Sequence, residues 1–134
     1  DHVREMGGDP QRGTPTLFMK PADAIVTDGA PVPYPSATAD RHHEAELGVV
    51  IGRVTSRVSV DEAMQSVLGY CNVNDVTARD LQRSDSQWLR GKSHTTFCPV
   101  GPVVVTADEI PDPQALRISC TVNGEVRQDA TTAT

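Results

Sequence analysis

The chain has 134 residues with 12 Lys and Arg against 18 Asp and Glu, a net charge of −6, and 37% apolar residues. That length builds one domain with a modest core, and the acidic balance argues against a nucleic-acid partner. No apolar run approaches the roughly 18 residues of a membrane span, and the opening "DHVREMGG" lacks the basic-then-apolar order of a secretory signal.

"DHVREM" has the length of a single helical turn, and "GGDPQRGTPT" after it reads as a mobile loop. "TLFMKPADAIV" is extended and leads into the turn-rich "TDGAPVPYP". Residues 46 to 54 form the first convincing strand. "SVDEAMQSVLGY" opens with a capping box, Ser59 to Glu62, and continues with an apolar stripe at Val60, Ala63, Met64 and Val67. The expectation is a helix of about two turns with Gly69 just past its end. "YCNVND" reads as a strand, "VTARDLQ" as a short helix and "PVVVT" as a buried strand. "LRISCTVNGEVRQ" alternates around Asn123-Gly124, a pair suited to a type I′ hairpin turn. The strands are not separated by crossover-length helices, which argues against a parallel doubly wound sheet. Cys71, Cys98 and Cys120 are scattered without a CxxC pattern, as in a cytoplasmic protein with reduced thiols. The start at Asp1 rather than Met, and the polar "QDATTAT" directly after a strand signal, suggest a domain over 1–134 that is incomplete at both ends.

"RHHEAELGVVIG" places two glutamates two residues apart in strand-forming sequence. A strand turns i and i+2 to one face, so Glu44 and Glu46 project together while Ala45, Leu47, Val49 and Ile51 point the other way. Carboxylates about 6 to 7 Å apart repel by roughly 2 to 3 kcal/mol at an effective dielectric near 20. Either the face is solvated or a cation neutralises the pair; hard oxygen ligands favour Mg²⁺, Ca²⁺ or Mn²⁺. Two ligands are too few, and "NVNDVTARDLQ" offers a third acid. A helix beginning near Asp75 would align Asp75, Arg79 and Gln82 on one face, joining an acid to a guanidinium suited to a carboxylate ligand. The alternative is an Asp–Arg pair on a wet surface.

"RGKSHTTF" is not a phosphate loop, because Ser86 stands where that pattern needs its first glycine. Lys92 is either a buried cation near a site or an ordinary surface lysine. His2 and Glu5, at i and i+3, permit a carboxylate-oriented general base or a frayed terminus. His42, Glu44 and His94 also permit the facial triad of a non-haem iron oxygenase.

Together "DHVREM", "LFMKPADAIV", "HHEAELGVVIG", "VLGYCNVNDVTARDLQ", "QWLRGKSHTTFCPVGPVVVT" and "VNGEVRQ" resemble, in order, the fumarylacetoacetate hydrolase family. The resemblance implies a mixed, β-rich (α+β), barrel-like roll with short helices, usually dimeric. It implies Mg²⁺ or Mn²⁺, with Ca²⁺ as a possible substitute, held by Glu44, Glu46 and Asp75. It implies a His2–Glu5 dyad on an N-terminal lid over 1–13, Lys92 as a catalytic cation, Arg79 and Gln82 on the substrate, and Lys20 near the site. Relatives continue past the "NGEVRQ" strand to a "TGTP"-type loop that completes the pocket.

The substrates implied are 2-oxo or 2-hydroxy-dienoic acids, gripped by the metal as an enolate forms. "DHVREMGGDPQR" and "KPADA" resemble fumarylpyruvate hydrolases. "NDVTARDLQRSDSQW" with "FCPVGP" resembles proteins usually labelled 2-hydroxyhepta-2,4-diene-1,7-dioate isomerases. The expectation is hydrolysis of an acylpyruvate, with isomerisation or oxaloacetate-type decarboxylation as alternatives on the same site.

Overall fold

The computed structural model describes residues 16–133. They divide into two compact units, one holding the chain up to Glu44 with Asn74–Pro99, the other Ala45–Val73 with Val100–Ala133.

In the first unit, a 3-10 turn at Ala22–Ala24 follows Pro21, whose ring presets an extended entry. Strand β1, Ile25–Thr27, comes next, and β2 is Arg41–His42. Asp75 receives the chain at the end of the long strand β4 (Val67–Asn74). Strand β5, Thr77–Ala78, then pairs antiparallel with β2, with Arg41 opposite Ala78 and His42 opposite Thr77. Helix α2, Arg79–Ser84, starts directly after β5, and helix α3, Leu89–Lys92, follows. Strand β6, Cys98–Val100, pairs with β1. The core cluster is small: Val76, Ala78 and Phe97, with Val32 and Leu81 packed against it. With so little apolar burial, polar ties hold the loop before β2. Arg79 donates its N–H to the Asp40 carbonyl at 2.7 Å. The Asp80 carboxylate accepts from Thr38 Oγ1 at 2.5 Å and Ala39 N at 2.9 Å.

In the second unit, β4 is flanked by β3 (Ala45–Ile51) and by Val100 of β6, which lies opposite Val73. It also pairs antiparallel with β7, Val105–Thr106, through Gly69↔Thr106 and Tyr70↔Val105. Strands β8 (Arg117–Val122) and β9 (Glu125–Thr131) form the expected hairpin. Asn123 and Gly124 have φ of 53° and 83°, the two left-handed positions that a type I′ turn requires. The Gln128 side chain bonds both the N–H and the C=O of Ala45 at 2.9 Å, tying β9 to the start of β3.

The mixed, strand-rich class expected from the sequence is the one found. The strand path β1-β6-β4-β3 is open, so no closed barrel forms among the described residues. Three local expectations need correction. The helix after Ser59 is α1, Val60–Met64, a little over one turn, and it buries none of its residues. Val67 and Gly69 belong to β4 instead. Gly69 is required there by close approach, since a Cβ on it would lie 2.2 Å from the Val105 carbonyl oxygen. The "PVVVT" stretch is strand only at Val105–Thr106, and Val103 is 62% exposed.

The capping box itself is present. Ser59 Oγ accepts from Glu62 N, and Glu62 returns a carboxylate to Ser59 N at 3.0 Å. A helix that buries nothing depends on its cap, because short helices are marginal without packing. Ser59→Ala is therefore expected to cost about 1 kcal/mol locally. Amide exchange across residues 60–64 should quicken about fivefold while the global melting temperature barely moves.

Candidate functional site

The site is built on a backbone splice. Glu44 sits between β2 and β3; its carbonyl accepts from Asp75 N at 2.9 Å, and its own N–H donates to Asn74 Oδ1 at 3.1 Å. These two bonds bring Glu44 beside Asp75 although 31 positions separate them in the chain. Both are buried, at 4% and 3% exposure, and so are Thr77, Arg79 and Lys92.

Buried carboxylates need partners, since an uncompensated ion in the interior is costly. Glu44 Oε1 accepts from Thr77 Oγ1 at 2.7 Å, from Arg79 Nη2 at 2.7 Å and from Lys92 Nζ at 3.0 Å. Its Oε2 accepts from Lys92 Nζ at 3.0 Å, and the same ammonium reaches Asp75 Oδ2 at 2.5 Å. Lys20 Nζ pairs with Asp75 Oδ1 at 2.6 Å and donates to the carbonyls of Val76, at 3.0 Å, and Lys92. Burial pushes the Glu44 carboxyl up. The Thr77 hydrogen bond, the charge and hydrogen bonds of Lys92 and the charge of Arg79 outweigh that, and the group is held below the ordinary glutamate range. Glu44 is therefore an anion at neutral pH.

Glu46 follows on β3 and is exposed. One carboxylate oxygen from each of Glu44, Glu46 and Asp75 lies within 4.8 Å of the others. An all-carboxylate donor set fits a hard divalent cation such as Mg²⁺, Mn²⁺ or Ca²⁺ rather than a soft one. Among the described residues these three make the only group of three potential ligands. His42 is engaged elsewhere, with Nε2 at 2.8 Å from Asp40 Oδ1, and neither it nor His94 joins such a group. The iron facial triad thus has no geometric support.

Asp75 does not begin a helix, as its spacing to Arg79 and Gln82 had suggested. It follows β4, and α2 begins at Arg79. Arg79 and Gln82 are still one helical step apart, with Arg79 Nη1 donating to Gln82 Oε1 at 2.5 Å. Asp75 joins Arg79 through Glu44 rather than through a shared helix face. His2 and Glu5 lie outside the described residues.

Two contributors were not singled out from the sequence. Thr77 is fully buried, and its one hydroxyl proton serves either Glu44 Oε1 or the Asp75 carbonyl at 2.9 Å. The signal was its i+2 spacing from Asp75 in extended sequence. Phe18 lies under Lys92, the ammonium 4.8 Å from the ring centroid, and an aromatic two residues before Lys20 was its only trace.

Gly91 lets α3 approach α2 closely enough to deliver Lys92. A Cβ there would lie 2.8 Å from Gln82 N and 3.0 Å from the Ala78 carbonyl oxygen, both backbone atoms. Gly91→Ala is expected to cost about 1 to 3 kcal/mol by overpacking. Thermal melting should show that loss.

The chain matches the family described as fumarylacetoacetate (FAA) hydrolase C-terminal over residues 1–134. It is 42% identical over 137 residues to the mitochondrial oxaloacetate tautomerase FAHD1 of Rattus norvegicus, covering 99% of this chain and 61% of that protein. Among solved structures it resembles a 2-hydroxyhepta-2,4-diene-1,7-dioate isomerase from Mycobacterium marinum. The TM-score is 0.86 and the identity 46%, over 91% of this chain and 47% of that one. A fumarylacetoacetate hydrolase from the psychrophilic Exiguobacterium antarcticum gives a TM-score of 0.86 at 39% identity, over 99% and 48%. The chain spans about half the length of the curated relatives it matches first, 50% and 54%. With the acids, arginine and lysine of its ordered motifs gathered in one place and the match running the whole length, the chain belongs to the fumarylacetoacetate hydrolase family.

Proposed function

We propose that this chain belongs to a divalent-metal-dependent enzyme that cleaves a C–C bond in acylpyruvate-type 2-oxo acids by hydrolysis. The observation that carries the reading is the carboxylate group Glu44, Glu46 and Asp75 next to the Arg79–Gln82 pair and the Lys92 ammonium. Glu44, Glu46 and Asp75 would hold the cation, which when bound supplies Lewis-acid stabilisation to an oxo-carboxylate. Arg79, held by Glu44 and Gln82, presents a guanidinium suited to a substrate carboxylate. Lys20 stands within the same group of charges. His2, oriented by Glu5, takes a proton from water, and the hydroxide adds to the distal acyl carbonyl. The bond to the pyruvyl methylene then breaks, its electron pair passes into the enolate, and protonation gives pyruvate and an acid. Lys92 offsets the negative charge that builds. The setting proposed is the cytoplasm, in keeping with the free cysteines Cys71, Cys98 and Cys120, and the homodimer proposed rests on the family resemblance alone.

A second reading, proton transfer along a 2-hydroxy-diene or between oxaloacetate tautomers, rests on the names of the isomerase and tautomerase relatives. The same acids and Lys92 serve it, without attack by water. Decarboxylation of oxaloacetate would draw on the same enolate.

A panel of acylpyruvates, fumarylpyruvate, oxaloacetate and 2-hydroxyhepta-2,4-diene-1,7-dioate with Mg²⁺, read by product analysis, separates the readings. Pyruvate with a stoichiometric acid from an acylpyruvate is the expected product. Isomer formation alone would replace hydrolysis with the second reading. His2→Ala is expected to lower acylpyruvate hydrolysis by about 100-fold or more, with Mn²⁺ binding retained. Full activity in that variant would remove the general base assigned here.

A further inference from the structure

Lys92 places its ammonium between two of the three carboxylates that the metal reading assigns to a cation. Its Nζ is 3.0 Å from both oxygens of Glu44 and 2.5 Å from Asp75 Oδ2. Three contacts match the three donors of an ammonium. The residue is 2% exposed, so no water shell shares that charge. Glu44 Oε1 already accepts from Thr77 and Arg79 as well, and a carboxylate oxygen has two lone pairs.

We propose that Lys92 and the divalent cation are alternative occupants of the Glu44–Asp75 pair. Metal loading expels the ammonium from those oxygens, and the expelled ammonium is then the one that meets an anionic 2-oxo acid. This rests on the metal reading of the site. Two positive centres drawing on the same oxygens in a buried place repel strongly. The backbone allows the exchange, because Lys20 holds the Lys92 carbonyl and the Val76 carbonyl without using the Lys92 side chain. The lysine stem has four carbons and free rotation, and the face of Phe18, 42% exposed, gives the ammonium a second support on the way out. The consequence is an order of binding, metal before substrate. The competing arrangement is a fixed lysine that stays on both acids while metal binds.

The test uses the full chain and needs no turnover. Lysines are acylated with an amine-directed reagent, without metal and with saturating Mg²⁺, and the modified peptides are mapped. Lys92 is expected to be protected without metal and to react about tenfold faster with it, a ratio within the usual range of site–site coupling. Lys20, which also pairs with Asp75 but through Oδ1 and keeps its bonds to the Val76 and Lys92 carbonyls, is read alongside, and the exchange predicts a rise confined to Lys92. In parallel, Mn²⁺ affinity is measured by calorimetry for the wild type, Lys92→Gln and Glu44→Gln. Lys92→Gln is expected to bind Mn²⁺ about tenfold more tightly. Lys92 protected in both states, or Lys92→Gln binding no tighter than wild type, overturns the exchange. If Lys92→Gln does not fold, the labelling result decides alone. Mn²⁺ bound by the wild type and lost in Glu44→Gln, with Lys92 still protected, sinks the exchange and leaves the metal reading standing. Absence of Mn²⁺ binding in both the wild type and Lys92→Gln removes both.

Discussion

Glu44→Gln is expected to lower the stability of the protein by about 3 to 5 kcal/mol, the usual cost of breaking a buried ion pair from one side. The same change is expected to abolish binding of Mn²⁺. The substitution keeps the shape and removes the charge. Arg79 and Lys92, both almost fully buried, would then face an amide in place of the carboxylate that accepts from each at 2.7 and 3.0 Å. Thr77 would lose its anionic acceptor as well. Glu46→Gln separates the two effects. Glu46 is exposed, so its loss is expected to cost less stability than that of buried Glu44, while still weakening Mn²⁺ binding. Urea unfolding gives the first quantity and calorimetry the second. If Glu44→Gln unfolds within about 1 kcal/mol of wild type, then Glu44 is not the hub that the contacts make it.

The contrast between the two glutamates also shows what the sequence could and could not reveal. Their spacing was legible, and the two carboxylates do come within 4.8 Å of each other, although Glu44 precedes the strand on whose face the spacing would set it. Their difference in burial was not legible, because Glu44 stops short of β3 and is fixed by bonds to Asn74 and Asp75. Those partners come from the far end of another strand, and no local period encodes them. Features closed within a few residues were read correctly. The Ser59–Glu62 box and the Asn123-Gly124 turn are each determined by short-range bonds and φ values. The extent of α1 was misread because Val60, Met64 and Val67 satisfy a helical stripe on paper. Pairing of Gly69 and Tyr70 with β7 draws Val67 onward into β4 instead, a tertiary choice that overrides local propensity. Asp75, Arg79 and Gln82 were grouped for the wrong reason, a common helix face. They converge all the same, since Glu44 holds Arg79 and Lys92 while Lys92 holds Asp75. Family resemblance supplied the list of residues; the contacts supply the reason that Glu44, Asp75, Arg79 and Lys92 can be charged and buried together.

Lys20 is where that reasoning gives the second large effect. Resemblance placed it near the substrate, yet its ammonium meets Asp75 Oδ1 and the carbonyls of Val76 and Lys92. Two carbonyl hydrogen bonds and one ion pair make it a clamp between the end of α3 and the segment after β4, 72 positions away from one of its partners. Lys20→Met is therefore expected to destabilise the protein by about 2 to 4 kcal/mol, since charged hydrogen bonds and a buried ion pair are lost together. With the Lys92 carbonyl unpinned, kcat is expected to fall more than KM rises. Lys20→Arg should not rescue it, because a flat guanidinium fork cannot converge on three oxygens as a compact ammonium does. A substrate ligand behaves in the opposite way: KM rises while the unfolding midpoint stays put. Steady-state kinetics beside urea unfolding of both variants distinguishes the roles. A Lys20→Met protein as stable as wild type, with only its KM raised, would return Lys20 to the substrate.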